Sequence, residues 1–459
     1  MAENTAEIPE QTGRRPWRAL EAVSLAVYLA LAAGYACIIP PGSGPDEPDH
    51  LAYVRSLAVN HQLPALPNGP LSRDPGRIVT PQAQHPPAYY LLVTPVYWLT
   101  GGATVPFYRV ARLVSVLLGL GAILLIRRAA QLVFPTRASV LALTVLFAST
   151  FGTLQYVSGT LNNESLAALT VSAGLYFAAR AMAGARPVLP MALLGVALGL
   201  GLLVKLTTSV LVGVMLVVAC SLAVRKTGRL AGLAAGARLL GVAVLGTALV
   251  SGWWFVRNNR LYGIPTVRAH HRPAAEAWTD LLLYPELCGA VALGNLEELL
   301  RSLWAPRWLL RNESEVAYFH AVLLRRLSVP LTGMTFSLDE IVVLAVVLIA
   351  VAGLILAWRD RREGSALDAP QRCLIAASLG AIVWLVVGLE YQTLAVDWTS
   401  VLFIGRYTPV ILPAMGVLLA VAAERLIPQR LVRVSAGIIL ALLLAYNLTV
   451  MFAVHALQA

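Results

Sequence analysis

Residues 188–224 read VLPMALLGVALGLGLLVKLTTSVLVGVMLVVACSLAV, an apolar run carrying one formal charge, Lys205. A membrane crossing takes roughly 20 such residues at about 1.5 Å of helix per residue, so the run is far too long for one helix. The polar break Lys205-Leu206-Thr207-Thr208 divides it into two crossings joined by a tight hairpin. The reading of this stretch, two apolar helices folded back on a short polar turn, decides the class of the whole chain.

The same composition extends in both directions. Of 459 residues, 58% are apolar and 13% charged, and the mean hydropathy is +0.72. A soluble domain carries about a quarter charged residues, so disorder, a secreted disulfide scaffold and a cytosolic enzyme are excluded. The four cysteines show neither a disulfide framework nor a CxxC metal pair. The apolar stretches are continuous rather than alternating, which weighs against a membrane β-barrel. RRPWR followed by an apolar run at 19–39 reads as a retained first helix rather than a cleaved signal.

The further runs are 108–126, 138–156, 165–183, 188–204, 207–224, 239–256, 337–357, 373–390, 407–424 and 434–454, eleven in all with the first. The expected fold is therefore all-α, a polytopic bundle of about eleven spans in a single domain, 1–459. Residues 88–100, AYYLLVTPVYWLT, are too short to cross, contain Pro95 and are rich in Tyr and Trp, which fits a helix lying in the interface. With the N-terminus cytoplasmic, the whole formal charge of +11 falls on the inner segments and the outer side is neutral, as the positive-inside rule requires. That orientation leaves two large extracytoplasmic loops, 40–107 and 257–336, with further interfacial helices expected in them.

Chemistry gathers in the first of these loops. It opens GSGPDEPDHLAYVRSL (42–57), placing Asp46, Glu47, Asp49 and His50 just after the first helix, with Pro45 and Pro48 stiffening the backbone. A carboxylate held at the membrane surface serves as a general base or as an oxygen ligand for a divalent cation. Asp49 is also suitably placed to N-cap the helix that LAYVRSLAV begins. The loop ends QAQHPPAYYLL (82–92), where two prolines force His85 into an extended conformation at the return to the interface.

These elements resemble the GT-C superfamily of integral-membrane glycosyltransferases, in particular the protein O-mannosyltransferases and the lipid A aminoarabinose transferases. PDEPDHLAY and HPPAYYLL match in order. GTLNNESLAAL (159–169) resembles the N-D-x-L stretch, with Glu164 in the acidic place, and LLVKLTT (202–208) the L-T-K element. WWFVRNNRLYGIP (253–265) resembles the motif that opens the large outer loop, and LFIGRYTPVILPAMGVLLA (402–420) the G-R-Y-x-x-P helix.

The resemblance implies inverting transfer of a sugar from a polyprenyl-phosphate carrier to a protein, glycan or lipid acceptor, on the extracytoplasmic side of a plasma or inner membrane. Asp46 would be the base and Glu47 would orient the acceptor or a cation. His85, Lys205, Arg257, Arg260 and Arg406 would hold the donor phosphate. Asp49, His50, Glu164 and Tyr407 would support the acceptor. The acidic motif would also suit a magnesium or manganese ion. Membrane lipids are the other expected partners, and nucleic acid is not. A secondary transporter or an O-antigen ligase or polymerase is the alternative. The near absence of charge within the spans, with no internal repeat, weighs against the transporter.

Overall fold

The computed structural model describes residues 8–67, 69–225, 229–266, 329–331, 334–336, 348, 351–360, 366–396 and 408–458. The opening run breaks at Lys205 as the sequence predicts, but its first half forms a helix of 15 residues, below spanning length, so only the second half is shown as a crossing. Helix α8 (Val188–Leu202) ends three residues before Lys205, a 3-10 turn occupies Leu206–Ser209, and α9 (Val210–Val224) leads away.

Before this hairpin come α1 (Ile8–Ile38), α2 (Glu47–Asn60), α3 (Ala88–Leu99), α4 (Thr104–Val133), α5 (Ala138–Thr150), α6 (Gly152–Ser158) and α7 (Glu164–Ala183). After it come α10 (Arg229–Tyr262), α11 (351–359), α12 (Ala369–Val396), α13 (Leu412–Leu426) and α14 (Gln429–Gln458). A two-stranded antiparallel ladder, Val329–Leu331 with Met334–Phe336, is the only sheet among the described residues.

Seven of the described helices are long and apolar enough to cross a membrane, and the pair α5–α6, bent by 58°, makes an eighth crossing if counted as one. The protein is an integral membrane protein with an all-α bundle. The expected spans 337–357 and 407–424 lie partly outside the described residues. Helix α3 is a short apolar helix below spanning length, as its sequence predicts, and it exposes Leu91, Leu92, Trp98 and Leu99.

Helix α7 sits between α4 and α8, α10 runs along α8, α12 along α9, and α13 and α1 along α5. Lipid gives apolar helices no hydrophobic reason to associate, so close backbone approach between small residues does the work. The α8–α10 contact shows this. A Cβ at Gly195 would collide with the Ala243 carbonyl, and one at Gly199 would lie 2.8 Å from Val250 Cβ. Across the same seam the Thr247 hydroxyl donates to the Gly195 carbonyl at 3.0 Å.

The bundle has two polar ends. At one, arginines pair with the few acids near them: Arg127 with Glu21, Arg137 with Glu424, and Arg425 with Asp360. At the other meet the end of α1, the starts of α2, α3, α4 and α7, and the turn between α8 and α9. The expectation of nearly charge-free spans is corrected at this second end: Arg112, two turns into α4, is 1% exposed.

Candidate active site

An arginine inside an apolar helix is costly unless every donor is met. Arg112 meets all five of its N–H donors. Nη1 donates to the carbonyls of Ala36 and Ile39, at 3.2 and 2.6 Å, and Nη2 to that of Pro40 at 3.0 Å. Ala36 lies in the last turn of α1, whose carbonyls have no helical partners, and Ile39 and Pro40 follow directly after it. The remaining donors go to Glu47: Nε to Oε1 at 2.9 Å and Nη2 to Oε2 at 2.7 Å.

Glu47 is completely buried. Besides the guanidinium, Oε2 accepts from the amides of Gly42 and Gly44 at 3.0 and 3.1 Å, and Oε1 from the amide of Leu161 at 2.7 Å. Gly44 is required here, because a Cβ on it would stand 2.6 Å from Glu47 Cδ. The expectation that Glu47 orients an acceptor or a cation is therefore corrected: its oxygens are occupied from within the protein. It joins the end of α1, the start of α4 and the loop before α7.

Asp46, next to it, is exposed. It is the N-cap residue of α2, in left-handed backbone (φ 54°, ψ 14°), and its side chain makes no capping bond. Asp and Asn tolerate this conformation better than most residues, but it still costs energy and marks the position. The expected cap at Asp49 is corrected as well. The helix starts two residues earlier, at Glu47, and Asp49 lies in its first turn, accepting from the Thr80 hydroxyl at 3.3 Å.

Behind the acidic turn stand stacked aromatic rings. The Tyr53 and Tyr90 rings lie 3.7 Å apart and nearly parallel, and His50 Nδ1 is 2.9 Å from the Tyr90 hydroxyl. Tyr53 donates to the carbonyl of His85 at 3.2 Å, and His85 is extended (φ −81°, ψ 144°) as its prolines require. Burial first, then the neighbouring tyrosines and the charges of Asp46 and Asp49, pushes the Tyr90 phenol well above its ordinary value. Burial likewise raises Tyr53, opposed by the charge of Arg257. Arg257 lies in the last turns of α10, half-buried, its guanidinium 5.0 Å from the Trp254 ring centre and donating to Asn258 Oδ1 at 3.0 Å.

The loop before α7 ties the motifs together residue by residue. The Leu161 amide binds Glu47, and Asn162 Oδ1 accepts from the Glu164 amide at 2.8 Å. Asn163 Nδ2 donates to the Val204 carbonyl at 3.3 Å. Glu164 pairs with Lys205. Both partners are buried, Glu164 to 2% and Lys205 to 8% exposure, and Glu164 Oε2 has no hydrogen-bond partner. The Ala88 amide donates to the Leu203 carbonyl at 2.9 Å, which brings the HPP turn beside the lysine.

The structure therefore gathers Asp46, Glu47, Asp49, His50, His85, Glu164, Lys205 and Arg257 at one end of the bundle. Arg260 is exposed on the last turn of α10. Arg406 and Tyr407 lie outside the described residues, as does most of the loop expected at 257–336. Among the described residues no three His, Cys, Asp or Glu side chains are arranged to hold a metal. With Glu47 occupied by Arg112, the acidic motif does not fit the divalent ion expected there. Sequence reasoning missed Arg112, though the signal was present in an arginine in the interior of an apolar run.

Residues 84–254 match the sequence profile of the family described as dolichyl-phosphate-mannose-protein mannosyltransferase. Among solved structures, the chain is similar to ArnT from Cupriavidus metallidurans bound to undecaprenyl phosphate, with a TM-score of 0.50 and 19% identity, over 89% of this chain and 60% of that one. It is also similar to the Archaeoglobus fulgidus oligosaccharyltransferase in complex with Zn and sulfate, with a TM-score of 0.51 and 14% identity, over 95% of this chain and 53% of that one. The same archaeal enzyme tethered to an acceptor peptide matches with a TM-score of 0.50 and 13% identity, over 95% of this chain and 55% of that one. The chain thus spans little more than half the length of the oligosaccharyltransferase and three-fifths of that of ArnT. No curated protein sequence matches it. The chain shares the fold of ArnT and of the archaeal oligosaccharyltransferase, and residues 84–254 match the pattern of the mannosyltransferase family.

Proposed function

We propose that the protein is a GT-C glycosyltransferase that moves a sugar from a polyprenyl-phosphate carrier to an acceptor, with inversion, at the extracytoplasmic face of the membrane. The N-terminus and the arginine-rich end of the bundle lie in the cytoplasm. One observation carries the reading. An exposed carboxylate, Asp46, is held in an uncommon backbone conformation by a neighbour, Glu47, that is locked into the core, and a buried lysine and a half-buried arginine stand at the same end.

In the reaction, Asp46 takes the proton from the acceptor as its heteroatom attacks the anomeric carbon from the face opposite the phosphate. The bond from that carbon to the phosphate oxygen breaks, and the electron pair leaves with polyprenyl phosphate. Lys205, Arg257 and His85 meet the charge that grows on the departing phosphate, which is where fixed cations lower a barrier most. Glu47 and Arg112 position Asp46 without touching substrate. Glu164 aims the Lys205 ammonium. The neighbours support the donor class, since ArnT is solved with undecaprenyl phosphate. No step is routed through a metal, because among the described residues no three His, Cys, Asp or Glu side chains gather to hold one.

The experiment is transfer in proteoliposomes from a panel of polyprenyl-phosphate sugars to water-soluble and lipid acceptors, read as release of free polyprenyl phosphate. Release by the wild type from at least one donor supports the reading. Donor binding with no release under any acceptor would remove the transferase and leave a lipid-binding protein.

A further inference from the structure

A second set of buried polar atoms lies away from the site, at the break between α5 and α6. Phe151 is extended there (φ −66°, ψ 106°), which ends α5 and frees the carbonyls of Ser149 and Thr150 from helical bonding. Two side-chain amides take them. Gln155 Nε2 donates to Ser149 at 2.7 Å, and Asn447 Nδ2, from α14, donates to Thr150 at 2.8 Å. Each amide nitrogen must face its carbonyl, which fixes the orientation and turns the amide oxygen the other way.

Those oxygens, Gln155 Oε1 and Asn447 Oδ1, have no hydrogen-bond partner, and neither do Ser149 Oγ and Tyr35 Oη. All four residues are at most 1% exposed. The Tyr35 ring lies 5.4 Å from that of Tyr156, next to Gln155, and a Cβ at Gly159 would stand 2.5 Å from Tyr35 Cβ, so α1 closes over α6 at this point. Buried acceptors without donors are expensive anywhere and more so within a membrane, and native proteins meet them with protein groups or water.

We propose that the break is a built site for internal water, which donates to Gln155 Oε1 and Asn447 Oδ1 and reaches the Ser149 and Tyr35 hydroxyls. The fixed atoms are acceptors, so the ligand must be a donor. The site has no exposed wall, so the ligand must be small. A buried water with about three polar partners is an ordinary structural component. The two amides and the water between them hold the 58° bend. The bend in turn delivers α6 and the loop 159–164 to Glu47 and Lys205, which makes Gln155 and Asn447 positioning residues.

Two measurements on the full chain in lipid nanodiscs test this. A structure at a resolution that shows water is expected to have ordered density at about 3 Å from both amide oxygens. Absence of density there, or both oxygens paired to protein groups, overturns the site. Hydrogen exchange over 152–164 is expected to rise about tenfold or more in Asn447→Leu, and in Gln155→Met should the first variant fail to fold. Unchanged exchange in a folded variant overturns the positioning role. Neither reading depends on sugar transfer, so both stand or fall apart from the proposed function.

Discussion

Glu47 and Arg112 form a two-pronged ion pair wholly inside the protein, at 0% and 1% side-chain exposure, and every hydrogen-bonding position of the pair is filled. The pair fastens the end of α1, the acidic turn and the loop before α7 to α4. Its geometry separates two adjacent carboxylates into different roles, one structural and one presented to the surroundings.

Removing one member of such a pair leaves an uncompensated buried charge, which costs about 3–5 kcal/mol. Glu47→Leu and Arg112→Met are each expected to lower thermal stability in detergent by that order. The double variant is expected to lose less than the sum of the two. Arg112→Lys should rescue poorly, because an ammonium cannot supply the five-donor fork. Additive losses in the double variant would show that the two residues act independently.

Asp46 should behave in the opposite way. Asp46→Gly relieves a left-handed conformation that costs an L-residue on the order of 1 kcal/mol, so this variant should be as stable as the wild type or slightly more so. It should nevertheless have lost transfer activity. Calorimetry and the proteoliposome assay on the same preparation check both halves. A large loss of stability would make Asp46 a structural residue.

At the Glu164–Lys205 pair, Lys205→Met removes a charge directed at the phosphate. A hydrogen bond to a charged group is worth about 1.5–3 kcal/mol, so donor KM or kcat/KM should change roughly 10- to 100-fold. Glu164→Gln keeps the shape and the charge on the lysine and should change it less. Equal effects of the two substitutions, with unchanged donor binding, would confine the pair to holding the fold.

Tyr53 gives a pH prediction. Burial raises its phenol above the ordinary value of 10.0, so the folded chain holds that proton more tightly than the unfolded chain. The stabilisation is therefore complete below pH 10.0 and is lost as pH rises beyond it toward the folded value. Between pH 9 and 11, about that midpoint, the thermal midpoint of the wild type should fall more steeply than that of Tyr53→Phe. The variant should also start lower by about 1 kcal/mol, having lost the bond to the His85 carbonyl. Parallel curves would show that Tyr53 does not ionise on unfolding.

What the sequence disclosed is what depends on runs and local backbone. The Lys205 hairpin, the short α3, the extended His85 and the membrane class follow from apolar length and from proline. The order of motifs along the chain sufficed to bring Asp46, Glu164 and Lys205 to one end. The division of labour between Asp46 and Glu47 was not legible, because adjacent residues with the same chemistry differ only in the direction each side chain takes. That direction is set by Arg112, 65 positions away. The break at Phe151 was hidden for a similar reason: 138–156 holds neither a proline nor a charge to mark it, and the amide that secures Thr150 comes from Asn447 near the other end of the chain.

The central claim is that the Asp46 carboxylate removes the acceptor proton. The most direct measurement is the single-turnover rate of sugar transfer by Asp46→Asn, with donor affinity measured on the same protein. General base catalysis contributes about 10²- to 10⁴-fold, so the account predicts a rate lowered by that factor with donor affinity nearly unchanged. Transfer at the wild-type rate in Asp46→Asn would contradict it.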